Sequence, residues 1–353
     1  MSARWLREGR SNASAAAGAE PSKRRLVSPL GQGEALSRWL QLARRGQLPH
    51  GFLVEGPRGG GKTTVIEYFT AALLCPSDLD PDGPCGVCRT CSRIANGLHP
   101  DVHLLDLAQD EADKKAWKKS FYVVTVEQVR RAQEELQRHA IEGRARVLVI
   151  ADADCLGEEG QNALLKTLEE PGLATFLLLE ATRPENLLPT VHSRVQRLRV
   201  RPLDEGTITR ELSARMPNQS ARFPTALALA AGSLGAALEA CTEHAVQIHD
   251  LVLGMLAEPD RLRPVAITRT VLATSSEPRL HGDSVRSFLR TLRACLRQQR
   301  DALAAAATAT YPDSCAEPWT TWLELTLAAE RDLDLMIPPE QVLTACLVSF
   351  AGN

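Results

Sequence analysis

The chain has 353 residues, too long for one ordinary hydrophobic core, and its 44% hydrophobic content is that of a globular protein of two or three domains. Aromatics make up only 4%, so the cores must rest on Leu, Val and Ala. A net charge of -2 excludes a strongly basic, free-standing nucleic-acid binder, so any DNA contact is expected to be shared with partners.

No run of 18 apolar residues occurs, so no transmembrane helix and no membrane partner is expected. Met1 to Arg25 is rich in Ala, Ser, Gly and Arg and lacks an apolar signal core. It reads as a disordered tail (1–25), with an Arg-rich transit peptide as the alternative. Nine cysteines, an odd number without a signal peptide, argue for a reducing compartment and a cytoplasmic protein.

Leu36, Trp39, Leu40 and Leu42 recur at helical spacing between Leu36 and Ala43. A short apolar strand, Gly51 to Glu55, then leads into Gly56-Pro57-Arg58-Gly59-Gly60-Gly61-Lys62-Thr63. This fits the phosphate-binding loop G-x-x-x-x-G-K-[ST]. Glycines let backbone N–H groups close around phosphate oxygens, and the helix that follows, Thr64 to Leu74, turns its positive end toward the anion. Lys62 would bridge the outer phosphates of ATP, Thr63 would hold Mg²⁺, and Thr64 lies in the same first turn. Binding does not by itself imply hydrolysis.

From Pro76 to Gly97 the composition turns to Asp, Pro, Gly and Cys, the mark of an insertion outside the core (75–97). Cys75, Cys85, Cys88 and Cys91 supply four thiolates, which suits structural, tetrahedral Zn²⁺ with no site left open for water. Four unliganded thiols are the plain alternative, and a redox C-x-x-C has no thioredoxin-type context here. The insertion has no evident apolar core of its own, so losing the metal is expected to unfold it and spare the sheet.

Asp101 to Leu107 reads as a second strand, and Ala108 to Ser120 as a solvated loop carrying Lys114, Lys115, Lys118 and Lys119. Thr125 to Gln128 forms a capping box before a helix with Val126, Val129, Ala132, Leu136 and Ala140 on one side, stopping near Gly143. Arg146 to Ile150 is an unbroken apolar strand of the kind buried on both faces of a parallel sheet. Ala151-Asp152-Ala153-Asp154 follows it. A helix from Glu158 to Glu170, a strand from Thr175 to Ala181 and a last strand from Val195 to Val200 complete an α/β pattern. Beyond Arg201-Pro202-Leu203 no convincing strand is seen. Asp204 to Met216 and Thr225 to Cys241 read as helices around Gly232-Ser233, and Leu and Ala at helical spacing continue from about Ala245, broken by prolines.

The order of motifs is specific. After the phosphate loop and the four-Cys insertion come His99-Pro100-Asp101, the R-V-L-V-I strand, Asn162-Ala163-Leu164-Leu165-Lys166-Thr167-Leu168-Glu169-Glu170-Pro171, Ala181-Thr182-Arg183-Pro184-Glu185 and Ser193-Arg194. This resembles the bacterial DNA polymerase III clamp-loader ATPase family, a branch of the AAA+ proteins, strongly from about Leu30 to Leu203 and weakly beyond. The resemblance implies an AAA+ P-loop domain (26–202), a small helical lid (203–244) and an all-α collar for oligomerisation (245–353). It also implies partners: gamma/tau and delta subunits in a hetero-pentamer, the sliding clamp, and primed DNA reached through the assembly.

The family has motor subunits, which hydrolyse ATP, and a delta-prime branch that serves as a stator. Motor subunits carry Asp-Glu after the buried strand, the Asp for Mg²⁺ and the Glu for the attacking water. Here the pair is Ala151-Asp152, a degenerate Walker B motif. The motors' lid arginine is replaced by Gly235 in Gly232-Ser233-Leu234-Gly235. Thr182, at the sensor position, is retained. Ser193-Arg194 matches the family's S-R-C motif, whose Arg reaches across to a neighbour's γ-phosphate. The departures follow the stator branch, with binding parts present and hydrolytic parts impaired; a gamma/tau-type motor subunit is the alternative, favoured by the intact phosphate loop.

Overall fold

The computed structural model describes residues 24–45, 47–76, 83–105, 126–137, 140–142, 145–258, 261–274, 281–306, 317–334 and 337–351. The expected tail before residue 24, the lysine-bearing loop, the Thr125 cap and the helix stop at Gly143 lie outside these residues. Two compact units are present. The first runs to Asp204 and includes Gly232–Gly235; the second comprises Glu205–Ala231 and the chain from Ala236 onward.

The first unit is a five-stranded, all-parallel sheet in the order β2-β3-β4-β1-β5. The strands are β1 (Gly51–Glu55), β2 (Val102–Leu105), β3 (Arg146–Ile150), β4 (Thr175–Ala181) and β5 (Gln196–Arg199). Crossover helices α1 (Gly33–Arg44), α2 (Lys62–Leu74), α3 (Arg89–Ala95), α4 (Val126–Gln137) and α5 (Glu158–Glu169) precede or connect them, with a one-turn α6 (Pro189–His192) before β5. Burial on both faces explains why β1, β3 and β4 are mostly apolar. One face sets Phe52, Val54, Val147, Val149, Ala151 and Leu178 against side chains of α1, α2 and α3. The other sets Leu53, Leu148, Ile150, Leu177 and Leu179 against α4 and α5. Trp39, Phe52 and Phe69 meet with ring centroids 4.5–5.0 Å apart, so three of the chain's few aromatics are spent on one spot of the first face.

β1, β3 and β4 coincide with their expected bounds; β5 is shorter, and β2 begins at Val102, with residues 106 and 107 of its expected span outside the described residues. Asp101 lies in a turn before β2 because its buried carboxylate accepts backbone N–H bonds from Ile141 (2.6 Å) and Glu142 (2.8 Å). That bond pair ties the start of β2 to the chain entering β3. The helix expected to span Thr225 to Cys241 is broken in two, Phe223–Ala230 and Leu234–Ala240. Ala231 (φ +46°) and Gly232 (φ +81°) are both left-handed, and two such residues in succession end a helix.

The insertion departs most from expectation. It is not outside the core: α3 buries Cys91, Ile94 and Ala95 fully, and Cys91 and Ile94 join the cluster that holds Phe69 and Leu74 of α2. Seven residues suffice because three of them face the same way. The expectation that the sheet is indifferent to the insertion is therefore corrected.

In the second unit no strand occurs among the described residues. Helices Glu243–Ala257, Pro264–Ala273, His281–Ala306, Glu317–Asp334 and Pro339–Ala351 surround a core of Ile248, Val252, Phe288, Leu292, Leu343 and Leu347. Two of these helices begin at a proline, whose missing N–H is harmless in a first turn. No helix among the described residues is long and apolar enough to cross a membrane.

The burial of α3 makes a quantitative prediction. Ile94→Ala should cost about 2–4 kcal/mol of unfolding free energy by denaturant titration, as for other fully buried Ile-to-Ala truncations. A peripheral insertion would give a change near zero.

Candidate nucleotide and interface sites

β1 ends at Glu55, and the phosphate loop begins where Gly56 N–H donates to the Ala181 carbonyl at 3.2 Å. The loop is thereby fastened to the C-terminal end of β4. Gly60 N–H donates to the Pro57 carbonyl (3.1 Å), and Gly61 (φ +97°) turns the chain into α2, a conformation that a side chain would strain. Lys62, Thr63 and Thr64 form the first turn of α2, so the free N–H groups of that turn face the loop.

Lys62 is buried, and its ammonium donates to the carbonyls of Gly56 (3.0 Å) and Pro57 (3.1 Å) and to Thr182 Oγ1 (3.1 Å). The expected sensor residue therefore does meet the loop lysine. Burial pulls the Lys62 pKa below the ordinary lysine value, an effect opposed mainly by the carboxylate of Glu180. Glu180 lies 4.0 Å from Lys62 Nζ and accepts from Thr63 Oγ1 at 3.2 Å. Burial pushes its own carboxyl up to about 7, against the pull of Lys62. Sequence reasoning missed Glu180. The signal was available: it is the sole charged residue in an otherwise apolar strand, two positions before Thr182.

Asp152 and Asp154 diverge. Asp152 sits at φ +48°, ψ +50°, half-buried at the end of β3. Asp154 is buried and spends its carboxylate on the backbone N–H groups of Thr182 (3.4 Å) and Arg183 (2.9 Å). It fixes the end of β4 and with it the sensor hydroxyl, so it does not stand in for the carboxylate missing at Ala151.

Gly235 has a packing role that its reading as a lost arginine did not contain. Its N–H donates to the Gly59 carbonyl at 3.0 Å, and a Cβ placed on it would lie 2.8 Å from the Cα and O of Gly59. Ser233 Oγ adds a bond to the Arg58 carbonyl at 3.2 Å. The outer surface of the phosphate loop is thus held by backbone contact at this point.

The four clustered thiols come together. Cys75 caps the C-terminal end of α2, Cys88 caps the N-terminus of α3, and all four Sγ atoms lie within 4.8 Å of one another. Cys75 Sγ is 3.6 Å from Cys85 and 3.9 Å from Cys88, and Cys85 is 4.0 Å from Cys91. The N–H groups of Cys88 and Cys91 donate to the Sγ atoms of Cys85 and Cys88, each at 3.4 Å. Such a set can hold one metal ion.

Ser193 and Arg194 lie at the other end of the sheet. A Cβ on Gly51, the first residue of β1, would come within 3.0 Å of the Arg194 carbonyl, whereas the phosphate loop follows the last residue of that strand. Gln161 on α5 sets the approach: it donates to the carbonyls of Leu156 and Asn186 (both 3.0 Å) and accepts from Leu188 N–H (2.7 Å). The Arg194 guanidinium is held by Glu169 at the end of α5, by the Thr190 carbonyl (2.9 Å) and by Ser193 Oγ (3.2 Å).

This arrangement has relatives. Residues 31–204 match the family model described as DNA polymerase III, delta subunit. The chain is 36% identical over 197 residues to the DNA polymerase III subunit delta-prime of Pseudomonas aeruginosa, a match covering 55% of this chain and 56% of that protein. Over residues 31–204 the chain is thus similar to DNA polymerase III delta and delta-prime subunits. The Escherichia coli delta-prime subunit is 36% identical over 191 residues, 54% of this chain and 53% of its own. The Haemophilus influenzae tau/gamma subunit matches at a lower 30% over 208 residues, 58% of this chain and 28% of that protein. The chain thus spans about half the length of the delta-prime relatives it matches. The Pseudomonas and Escherichia delta-prime matches, at 36%, are higher in identity than this tau/gamma match at 30%.

The Gly235 contact can be tested by crowding it. Gly235→Ala should destabilise the first unit by about 1–3 kcal/mol, as overpacking against backbone does, and Gly235→Arg should not create a hydrolysing enzyme. Denaturant titration and a steady-state ATPase assay read the two outcomes.

Proposed function

We propose that this chain is a delta-prime clamp-loader subunit that binds ATP measurably or weakly, turns it over very slowly, and lends Arg194 to the nucleotide site of a neighbouring subunit. The observation that carries the reading is the separation of Arg194 from its own phosphate loop by the whole of β1, a five-residue strand of about 16 Å. At that distance the guanidinium serves a neighbour's phosphates, not its own. In the isolated chain Glu169 occupies it. Ser193, which holds the same guanidinium, would orient it.

At the chain's own site the residues fit a nucleotide. The turn at Gly61 and the first N–H groups of α2 would cradle phosphate, Lys62 would exchange its two loop carbonyls for phosphate oxygens, and Thr182 would remain beside it. Mg²⁺, when bound with ATP, neutralises phosphate charge; Thr63 would hold it. Ala151 offers no carboxylate, and Asp152, a methylene shorter than the motors' Glu, makes a poor base for water. These two positions support slow turnover.

The metal ion of the four thiolates is proposed to be Zn²⁺. A tetrahedron with Zn–S bonds of about 2.3 Å has edges near 3.8 Å; three of the sulfur pairs here are 3.6–4.0 Å apart and all four sulfurs lie within 4.8 Å of one another. The ion would join the end of α2 to α3 and supply no reaction.

Partners follow from the same reading: gamma/tau and delta subunits in a hetero-pentamer, the sliding clamp, and primed DNA through the assembly, all in the cytoplasm. The region after residue 203 would divide into a helical lid to residue 244 and a collar beyond it that joins the subunits.

Two measurements check this reading. Arg194→Ala should leave the chain's own nucleotide affinity unchanged while lowering the reconstituted complex's DNA-dependent ATPase in part and its clamp loading more. Loss of a trans arginine costs about 10³ or more at the one site it serves. Unchanged activity in both assays, after equal assembly by gel filtration, would make Arg194 an ordinary surface residue. Metal analysis should find one zinc per chain, and chelation should lower the melting temperature of the whole first unit because α3 is part of its core. Four freely titrating thiols with no zinc would end the assignment.

A further inference from the structure

The carboxylate missing from β3 has a counterpart on the adjacent strand. β3 and β4 run parallel with Ile150 opposite Leu179, so the next pair, one residue on, is Ala151 and Glu180. Both belong to the face that α2 covers: Ala151 packs with Val54 and Leu178, and Glu180 is two residues after Leu178 on the same strand. Across β1 the partner of Glu180 is Val54, two residues before Gly56 at the start of the loop. The Glu180 side chain, buried at 4% exposure, reaches Thr63 Oγ1 with both oxygens, at 3.2 and 3.4 Å. A methyl group thus stands where motor subunits carry the Asp, and a longer acid on the neighbouring strand meets the hydroxyl assigned to Mg²⁺.

We propose that Glu180 supplies, from β4, the Mg²⁺-facing carboxylate that β3 lacks at Ala151. Glu has one methylene more than Asp, which suits a start one strand over. The site would keep divalent-cation dependence in nucleotide binding although its Walker B motif is degenerate. On the β3 side, Asp154 is committed to the Thr182 and Arg183 backbone, and Asp152, half-buried in a left-handed conformation, adds negative charge near both Lys62 and Glu180. Burying a carboxylate in the middle of an apolar strand is costly unless it is paired, and Lys62 and Thr63 supply the pairing in the absence of nucleotide. The proposal rests on the nucleotide-pocket reading above.

The test is equilibrium binding of a fluorescent ATP analogue to the full chain, with Mg²⁺ or with EDTA, alongside Mn²⁺ binding followed by its EPR signal. Wild type should bind more tightly with Mg²⁺. Glu180→Gln should keep the affinity seen in EDTA and lose the Mg²⁺-dependent gain, with cation affinity reduced about tenfold or more, as when a metal's ligand shell is disturbed. The double variant Glu180→Ala with Ala151→Asp, which returns an acid to β3, should regain the cation dependence. An unchanged Mg²⁺ gain in Glu180→Gln overturns the proposal. Equal weakening in both buffers also overturns it, because Glu180 would then serve only as the counter-ion of Lys62. Wild-type binding indifferent to Mg²⁺ removes the proposal and leaves the pocket standing. Absence of nucleotide binding in either buffer removes the pocket and the proposal together.

Discussion

A buried ammonium group must be given partners, and much of the first unit is arranged around the one on Lys62. Two loop carbonyls and the Thr182 hydroxyl surround it, with the Glu180 carboxylate 4.0 Å away. These partners come from the phosphate loop and from β4, so the charge can be buried only if β1 and β4 pair in register. That pairing in turn sets the loop beside the sensor residue, and Asp154 holds the sensor from the β3 side. The desolvation cost of Lys62 is offset by these polar partners.

The sheet places two chemistries at its opposite ends. Parallel strands carry the phosphate loop at their C-terminal edge, where open α/β sheets bind ligands. Arg194 comes from the opposite edge, where α6 enters β5, and is positioned by the Gln161 bonds and by Glu169. One rigid layer thus fixes the distance between the phosphate loop and the Arg194 side chain.

Much of this was legible in the chain because the signals were local. β3 was readable as an unbroken apolar run and β1 and β4 as short apolar and buried strands, the phosphate loop by its glycines and Lys62, and the thiol cluster by cysteine spacing. What was not legible depends on neighbours distant in sequence. Glu180 acquires its meaning only from lying beside Ala151 and over Thr63. Gly235 read as an absent arginine, whereas its backbone contact with Gly59 lies 176 residues away along the chain. Helix α3 was hidden by the polar composition around it, since three buried residues in seven are too few for a periodic signal.

The Gly235 contact also bears on how such a chain changes over generations. An arginine at position 235 meets the backbone of Gly59 at 2.8 Å, so it requires the phosphate loop to move first. An aspartate at position 151 would stand beside Glu180 on the next strand, two acids in one dry pocket, where like charges oppose each other's ionisation. Each of these two substitutions is therefore opposed by a residue elsewhere in the present chain, so neither position can change independently of its neighbour.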